Sequence, residues 1–275
     1  MIVVNFDPNV VSFHGFAIKW YSLAYLFGLL IGWYLSLRNV KKTSLQLSKN
    51  DIEELFLTYG LLGVIIGGRL GYVLFYNLSF YLKHPLQIFA LWNGGMSFHG
   101  GVIGVITALF IFAKIKKISF IALGDLVCLV APVGLFLGRI GNFINSELYG
   151  NITDASFPFA VVFEKIDIFP RHPSQLYEAF GEGIVIFAVL NLIWHFLPTS
   201  RTKHGLFSGL FLLMYGIVRI IVENFRTPDI QIGYLWGNIT MGQILCLPMI
   251  AAGIFLIAYA CTKSQTGNEP PKRQT

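Results

Sequence analysis

Long apolar runs dominate this chain, and its polar residues are concentrated in the connections between them. Seven runs are long and apolar enough to cross a membrane as helices, because one crossing takes about 20 residues. They are residues 20–37, 55–76, 98–113, 118–137, 176–197, 206–224 and 241–261. The third run is short, so we expect its helix to begin slightly before Phe98. The pattern predicts an all-α polytopic membrane protein with about seven transmembrane helices.

The composition supports a chain that folds in lipid. Of its 275 residues, 55% are hydrophobic and only 12% are charged, whereas soluble domains contain about 25% charged residues. The mean hydropathy is +0.66. These values exclude a disordered chain, a collagen-like fibre and a disulfide-rich secreted module. The three cysteines form no CxxC motif and no Cys/His cluster, so the sequence predicts no zinc site.

The connections predict structure outside the hydrocarbon region. Residues 78–95 mix aromatic residues with Lys83, His84 and Pro85, which favours a segment lying along the membrane interface. Residues 141–173 predict a small extracytoplasmic cap with a short strand at residues 159–163. We therefore expect a single transmembrane domain, residues 1–262, followed by a disordered cytoplasmic tail, residues 263–275.

The lysines and arginines predict the orientation of the chain. The connections on one side contain Arg38, Lys41, Lys42, Lys49, Lys114, Lys116, Lys117, Arg201, Lys203, Lys263, Lys272 and Arg273. The connections on the other side contain half as many: Lys19, Lys83, Arg139, Lys165, Arg171 and Arg226. Because cytoplasmic loops carry the excess of basic residues, we expect the N-terminus outside and the C-terminus in the cytoplasm. The net charge of +6 is then a topology signal and does not indicate nucleic-acid binding.

Ionisable residues within the apolar runs are candidates for function, because inserting each one costs about 2.5–3.5 kcal/mol. The candidates are Arg69, Asp125, Glu178, Glu182, Arg219 and Glu223, with His99 and Arg139 at the ends of runs. Any of them could instead have a purely structural partner, and the sequence leaves Arg69, Asp125, Glu178 and Glu182 without an assigned role.

The sixth run carries a polar stripe. Tyr215, Arg219, Glu223 and Arg226 follow helical spacing and therefore line one face. One interpretation is an intrahelical Arg–Glu pair that neutralises itself. Glu223 alone cannot neutralise two arginines, however, and a spare guanidinium fits the oxygens of a phosphate group.

A second polar group occupies residues 138–150, after the fourth run. It contains Arg139, Asn142, Asn145 and Glu147. One interpretation is a helix C-terminus capped by polar side chains. The density of hydrogen-bonding groups at lipid-headgroup depth favours a binding site instead.

His99 begins the third run and precedes Gly100 and Gly101. A single histidine at an interface is more often structural than catalytic. His99 nevertheless shares its predicted depth, in the outer leaflet, with both polar groups. Transporter sites usually lie near the midplane between repeats, so the outward offset favours chemistry on a lipid headgroup. The alternative is a phospholipid or anionic-solute transporter that makes no bonds.

The sequence resembles the prolipoprotein diacylglyceryl transferase family. Residues 138–150 match the family signature G-R-x-G-N-F-x-N-x-E-x-x-G at every specified position. The resemblance extends through Trp20-Tyr21, residues 99–101, residues 171–178, residues 215–229 and residues 241–243, in the same order. Ser22 stands where the family usually has glycine, and Lys19 stands where arginine is common.

The resemblance implies an activity and its partners. The family transfers the sn-1,2-diacylglyceryl group of phosphatidylglycerol to the lipobox cysteine thiol of prolipoproteins, forms a thioether and releases glycerol 1-phosphate. This is the first step of bacterial lipoprotein maturation, and it uses no metal or organic cofactor. The implied partners are phosphatidylglycerol, the prolipoprotein signal-peptide segment and membrane lipids, with no nucleic acid. We expect a monomer in the bacterial cytoplasmic membrane with its active site toward the outer leaflet.

The residues suit this chemistry in distinct roles. We expect His99 to act as the base for the thiol, and Arg139 and Arg219 to stabilise the departing phosphate. The remaining assignments concern binding and orientation. Asn142 and Tyr21 would position the headgroup, Arg226 would attract the anionic lipid, Glu223 and Tyr215 would orient the arginines, and Glu147 would either orient Arg139 or cap its loop.

Overall fold

The computed structural model describes residues 2–13, 16–228, 233, 235, 237 and 239–266. The helices are α1 Trp20–Val40, α2 Lys49–Tyr76, α3 Leu78–Lys83, α4 Phe98–Lys116, α5 Phe120–Cys128, α6 Ala131–Ile144, α7 Ser174–Phe196, α8 Leu206–Glu223 and α9 Met241–Thr266. The strands are β1 Ile2–Val4, β2 Asn9–Phe13, β3 Phe16–Lys19, β4 Val161–Phe163 and β5 Pro170–Arg171. Helices α2 and α7 each contain a π-helical stretch, at Leu55–Gly60 and Ala179–Val185.

Each predicted apolar run forms helix, which confirms a multi-pass membrane protein. Helices α1, α2, α4, α7, α8 and α9 are each long and apolar enough to cross a membrane. Helix α4, formed by the third run, begins at Phe98 and not before it. It is longer than predicted at its C-terminal end, where it continues to Lys116.

The fourth run was predicted as one span, residues 118–137, and the structure divides it into two helices. Helices α5 and α6 meet at a bend of 46° and could form one broken span. Pro132 lies in the first turn of α6, where its missing N–H group costs no intrahelical hydrogen bond. Because α6 continues to Ile144, Arg139 and Asn142 lie on its last turns and not in the connection after it.

The segment between α2 and α4, which was predicted to lie along the membrane interface, contains only short helical pieces. It consists of α3 and the 3₁₀ turns Pro85–Phe89 and Leu91–Asn93. Leu86 and Trp92 are both 83% exposed, which fits contact with lipid.

The chain divides into two compact units. One consists of Met1–Leu35 with Asp125–Thr275, and the other consists of Ser36–Gly124. Both divisions fall inside helices, α1 and α5, so the single-domain interpretation stays a prediction. Helix α9 reaches Thr266, so residues 263–266 of the predicted tail are helical, and residues 267–275 lie outside the described residues.

Within the unit Ser36–Gly124, α2 and α4 pack through glycines. A Cβ atom at Gly67 would lie 2.4 Å from the carbonyl oxygen of Gly100, and one at Gly104 would lie 2.1 Å from that of Gly63. No residue with a side chain could occupy these positions without moving a helix. Such small-residue contacts are how apolar helices approach closely in lipid.

Arg69 is buried in the same unit, where it has a structural role. Its guanidinium donates hydrogen bonds to five backbone carbonyl groups between Gln87 and Gly95, at 2.5–3.2 Å. It also lies 5.2 Å from the centroid of the Tyr81 ring. Arg69 therefore holds the interfacial segment in place by satisfying its backbone.

The other unit carries the predicted cap, which contains more strand than expected. The predicted strand at residues 159–163 is observed as β4, which pairs in parallel with β1 and antiparallel with β5. Val4, Val161 and Phe163 form its buried core. The strands β1, β2 and β3 were not predicted, because each has at most five residues and β1 pairs only with a distant segment.

Two polar contacts stabilise this unit around the cap and α8. Hydrogen bonds from Arg171 hold the pKa of the Asp167 carboxyl below its usual range. The carboxylate of Asp125 accepts hydrogen bonds from the backbone N–H groups of Gly205 and Ser208, at 2.6 and 2.7 Å. Asp125 therefore satisfies the N-terminus of α8, as capping side chains do.

Candidate functional site

Helices α6, α7 and α8 bring together a buried cluster of charged side chains. Arg139 belongs to α6, Glu178 and Glu182 belong to α7, and Arg219 and Glu223 belong to α8. None of these side chains is more than 13% exposed. The cluster unites two groups of residues that the sequence analysis singled out separately.

Glycines on α7 allow the three helices to approach. A Cβ atom at Gly183 would lie 2.6 Å from Cβ of Phe136 on α6, and one at Gly181 would lie 2.5 Å from Cγ1 of Val218 on α8. Both glycines lie in the π-helical stretch, which also carries Glu182. Such stretches are frequent at functional sites.

Arg139 contacts both glutamates of α7. Its Nε and Nη2 atoms each donate to Oε2 of Glu182 at 3.0 Å. Its Nη1 atom lies 3.1 Å from Oε2 of Glu178. The guanidinium is therefore fixed in its plane by two carboxylates from one helix.

Arg219 contacts the same helix from the other side. Its Nη1 atom donates to Oε1 of Glu178 and lies 3.7 Å from Oε1 of Glu182. Its Nη2 atom lies 2.9 Å from Oε2 of Glu223. Glu178 thus bridges two arginines from different helices, so both guanidiniums contact one carboxylate.

Glu223 connects the cluster to the start of α9 and to Arg226. Its Oε1 atom accepts a hydrogen bond from the Thr240 hydroxyl at 3.0 Å, and its Oε2 atom lies 3.8 Å from Nη1 of Arg226. A Cβ atom at Gly242 would lie 2.7 Å from Oε1 of Glu223. Gly242 therefore leaves room for this carboxylate, which gives the motif at residues 241–243 a physical reason.

The sequence predicted one spare positive charge on α8, because Glu223 can neutralise only one of Arg219 and Arg226. The structure adds Glu178 and Glu182, so that three arginines, counting Arg139, face three glutamates. A signal existed, because Glu178 and Glu182 are four residues apart and therefore share a helix face, but pairing them with α6 and α8 requires tertiary contacts.

The part of the signature segment that follows α6, residues 145–150, forms a strained loop. Ser146 and Leu148 both adopt left-handed backbone conformations, with φ of 58° and 56°, and such strain in non-glycine residues tends to occur at functional sites. The Gln175 amide donates to the carbonyl oxygen of Glu147 at 2.6 Å. The Ser174 hydroxyl donates to that of Leu148 at 3.0 Å. The motif at residues 171–178 therefore supports the signature loop as well as supplying Glu178.

Glu147 lies within this loop and pairs with its asparagines. The amides of Asn142 and Asn145 each donate to its carboxylate at 3.3 Å. The described contacts of Arg139 are with the glutamates of α7. These contacts fit the loop-capping role better than the orientation of Arg139, and the role of Glu147 stays a prediction.

Two predicted tyrosines line the helices of the cluster. The Tyr21 ring packs on α6, where a Cβ atom at Gly141 would lie 3.0 Å from its Cδ2 atom, and the Tyr21 and Tyr25 hydroxyls are 3.0 Å apart. Tyr215 lies one turn before Arg219 on α8 and stacks on Phe211.

His99 belongs to the other compact unit, Ser36–Gly124, where it is exposed in the first turn of α4. The charged cluster is thus built from residues of one unit, and the candidate residue His99 belongs to the other. Within the described residues, no group of three His, Cys, Asp or Glu side chains is placed to hold a metal ion. The expectation that no cofactor is used stays a prediction.

The sequence model of the prolipoprotein diacylglyceryl transferase family matches residues 8–259. The match includes the signature loop and every side chain of the charged cluster.

Curated relatives match over nearly their full length. A phosphatidylglycerol–prolipoprotein diacylglyceryl transferase of Rickettsia felis is 48% identical over 263 residues, which cover 96% of this chain and 100% of the relative. Proteins of the same name from Rickettsia typhi and Rickettsia bellii are also 48% identical, over 94% of this chain and 98% and 96% of the relatives.

Proposed function

Because the chain belongs to the prolipoprotein diacylglyceryl transferase family, we propose that it transfers the diacylglyceryl group of phosphatidylglycerol to the lipobox cysteine of prolipoproteins. The sulfur forms a thioether with the glyceryl carbon, and the bond between that carbon and the phosphate oxygen breaks. The electron pair of that bond leaves with glycerol 1-phosphate, and the thiol proton passes to a base. The observation that supports this proposal best is the pair of guanidiniums that meet at Glu178.

Arg139 and Arg219 are suited to the phosphate. The phosphate gains negative charge as the carbon–oxygen bond breaks, and fixed cations in a site that excludes water stabilise such charge strongly. Guanidiniums stay protonated, and their planar N–H groups match phosphate oxygens. Both arginines are positioned before substrate arrives, because glutamates already fix their planes.

The neighbouring residues bind and orient. Asn142 and Tyr21 position the headgroup beside Arg139, and Arg226 attracts the anionic lipid. Glu223 orients Arg219, because its carboxylate contacts both Arg219 and the Thr240 hydroxyl. Tyr215 supports the same face of α8 one turn away. Glu147 keeps Asn142 in place at the end of α6.

His99 is the proposed base. A cysteine thiol has a pKa near 8.5, so most of it is protonated at neutral pH and a base must remove the proton to form the nucleophile. A neutral imidazole is suited to this step. His99 is exposed in its own unit and therefore accessible to a thiol.

The proposed location is the bacterial cytoplasmic membrane, with the site toward the outer leaflet. The support is the asymmetric distribution of lysine and arginine between the connections. The basic ends of the helices would then face the cytoplasm, and the charged cluster would lie where phosphatidylglycerol headgroups and secreted peptides meet.

The test uses the purified full-length protein, phosphatidylglycerol vesicles and a synthetic lipobox peptide, with mass spectrometry as the readout. We expect a diacylglyceryl adduct on the cysteine peptide, release of glycerol 1-phosphate, and no adduct on a matched peptide with serine in place of cysteine. Movement of lipid between vesicles without any adduct would contradict the proposal and support a transporter.

A further inference from the structure

The three glutamates of the cluster differ in how their oxygens are satisfied. Both oxygens of Glu178 lie against arginine nitrogens, and both oxygens of Glu223 have close partners, Thr240 and Arg219. Glu182 differs from them in distance. Its Oε2 atom accepts from Arg139 at 3.0 Å, whereas Oε1, like Oε2 of Glu178 and Oε2 of Glu223, is buried without a hydrogen-bond partner among the described residues. Arginine nitrogens lie 3.1 and 2.9 Å from those two oxygens, but Nη1 of Arg219 lies 3.7 Å from Oε1 of Glu182.

The charge of the cluster makes this oxygen important. When all six groups are ionised, the three arginines and three glutamates sum to zero. A phosphodiester headgroup carries one negative charge, so its entry would leave a buried site with an uncompensated anion. Uncompensated charge in such surroundings is costly. The site must therefore gain a positive charge or lose a negative one when the lipid binds.

We propose that Glu182 takes up one proton when the phosphatidylglycerol phosphate binds between Arg139 and Arg219. This inference rests on the proposed function, since it names the response of the same site to the proposed lipid. A protonated carboxyl group is a hydrogen-bond donor, so Oε1 of Glu182 would donate to a phosphate oxygen. Glu178 and Glu223 would keep their charges and go on orienting the arginines.

Among the described residues, titratable and charged groups from three other elements and from its own helix face Glu182. Glu178 faces it from its own helix, Arg139 faces it from α6, and Arg219 and Tyr215 face it from α8. Cys246 of α9 also lies within electrostatic range. Glu178 is the one other carboxylate in this set, and arginine nitrogens lie against both of its oxygens. The proton comes from solvent and returns to solvent with the product, so no other bond changes.

Titration calorimetry measures the proton directly. Phosphatidylglycerol binding to the wild-type protein is followed near pH 7.5, without peptide, in two buffers that differ in ionisation enthalpy. We expect uptake of one proton per lipid. By linkage, the affinity for phosphatidylglycerol should then weaken about tenfold for each unit by which the pH rises, across the pH range in which uptake is complete. The Glu182→Gln variant should bind without proton uptake and without this pH dependence. No uptake by the wild-type protein would overturn the inference, and that measurement needs no variant to fold.

A matched variant separates Glu182 from other sources of the proton. Glu53→Gln, at an exposed carboxylate of α2, should keep wild-type uptake. Uptake that persists in Glu182→Gln, or disappears in Glu53→Gln, would overturn the inference. The outcome differs from failure of the proposed function: a protein that forms the cysteine adduct but takes up no proton refutes only the role of Glu182.

Discussion

Arg69 and Arg139 are both buried arginines in apolar helices, but their partners differ in kind. Arg69 donates to backbone carbonyl groups of one segment, at 2.5–3.2 Å. Arg139 contacts the carboxylates of Glu178 and Glu182 on a neighbouring helix. Carbonyl dipoles satisfy a guanidinium without cancelling its charge, whereas carboxylates cancel it and can respond to an arriving anion.

This difference teaches how to assign charges within membrane helices. Arg69 organises a local loop, and its helix packs on α4 through glycines that leave no space for any ligand. Arg139 belongs to a network of ionisable groups that spans three helices, and such networks mark sites of chemistry more often than sites of packing. Cost of burial is common to both arginines, and the chemical type of the partners distinguishes them.

The largest effect should come from the glycine contacts beside Arg69. Gly104→Ala places a Cβ atom 2.1 Å from a backbone oxygen, so α2 and α4 must separate. We expect destabilisation of about 3 kcal/mol or more, at or above the usual range for overpacking. Loss of monodisperse protein on size exclusion and a lower Tm in detergent would report it.

Gly101→Ala is the matched control on the same helix. A Cβ atom at Gly101 has its nearest neighbour at 3.8 Å, which is ordinary contact. We expect this variant to behave as wild type in both measurements. Equal stability of the Gly104 and Gly101 variants would contradict tight backbone packing between α2 and α4.

The next largest effect should come from His99, which tests whether the unit Ser36–Gly124 contributes a catalytic residue. His99→Gln removes the proposed base, and we expect kcat to fall by about 10²–10⁴ at neutral pH. Activity should recover in part at higher pH, because the peptide thiol then ionises unaided. His84→Gln, at an exposed histidine of the same unit, is the control. A flat pH response in His99→Gln would remove His99 from the base role and leave it as a positioning group.

Substitution by lysine compares the roles of Arg139 and Arg69 directly. Arg139→Lys keeps the charge but loses the planar fork, so we expect kcat/KM to fall about 100-fold or more, as when a transition-state donor is removed. Arg69→Lys should instead destabilise the fold, by about 2 kcal/mol for lost hydrogen bonds to a charged group. The folded fraction should keep its kcat/KM. Adduct formation and thermal unfolding, measured on both variants, separate the two effects.

Full activity in Arg139→Lys would exclude bidentate phosphate binding. Loss of activity without loss of stability in Arg69→Lys would show that partner type does not distinguish the two arginines.

The extent to which sequence predicted this molecule follows the same division. The length and apolar composition of the runs predicted the spans, because a helix in lipid needs a long apolar run whatever it packs against. Arg139 and Arg219 were identified because each is costly where it lies. The contacts of Glu178 and Glu182 with these arginines were not predicted, because pairing α7 with α6 and α8 depends on Gly181 and Gly183 and on a π-helical stretch. The bend between α5 and α6 was missed because both pieces are apolar and together have the length of one span.

The smallest effect concerns Asp125, a carboxylate that resembles Arg69 more than it resembles Glu178. Its partners are the backbone N–H groups of Gly205 and Ser208, at the start of α8. Asp125→Ala leaves these donors unsatisfied, and loss of such a cap costs about 1 kcal/mol. We expect a lower Tm and unchanged kcat/KM, with a smaller change for Asp125→Asn, which keeps one acceptor oxygen. If Asp125→Ala lowered kcat/KM at an unchanged Tm, Asp125 would belong with the glutamates of the charged cluster, and backbone partners would no longer identify a structural charge.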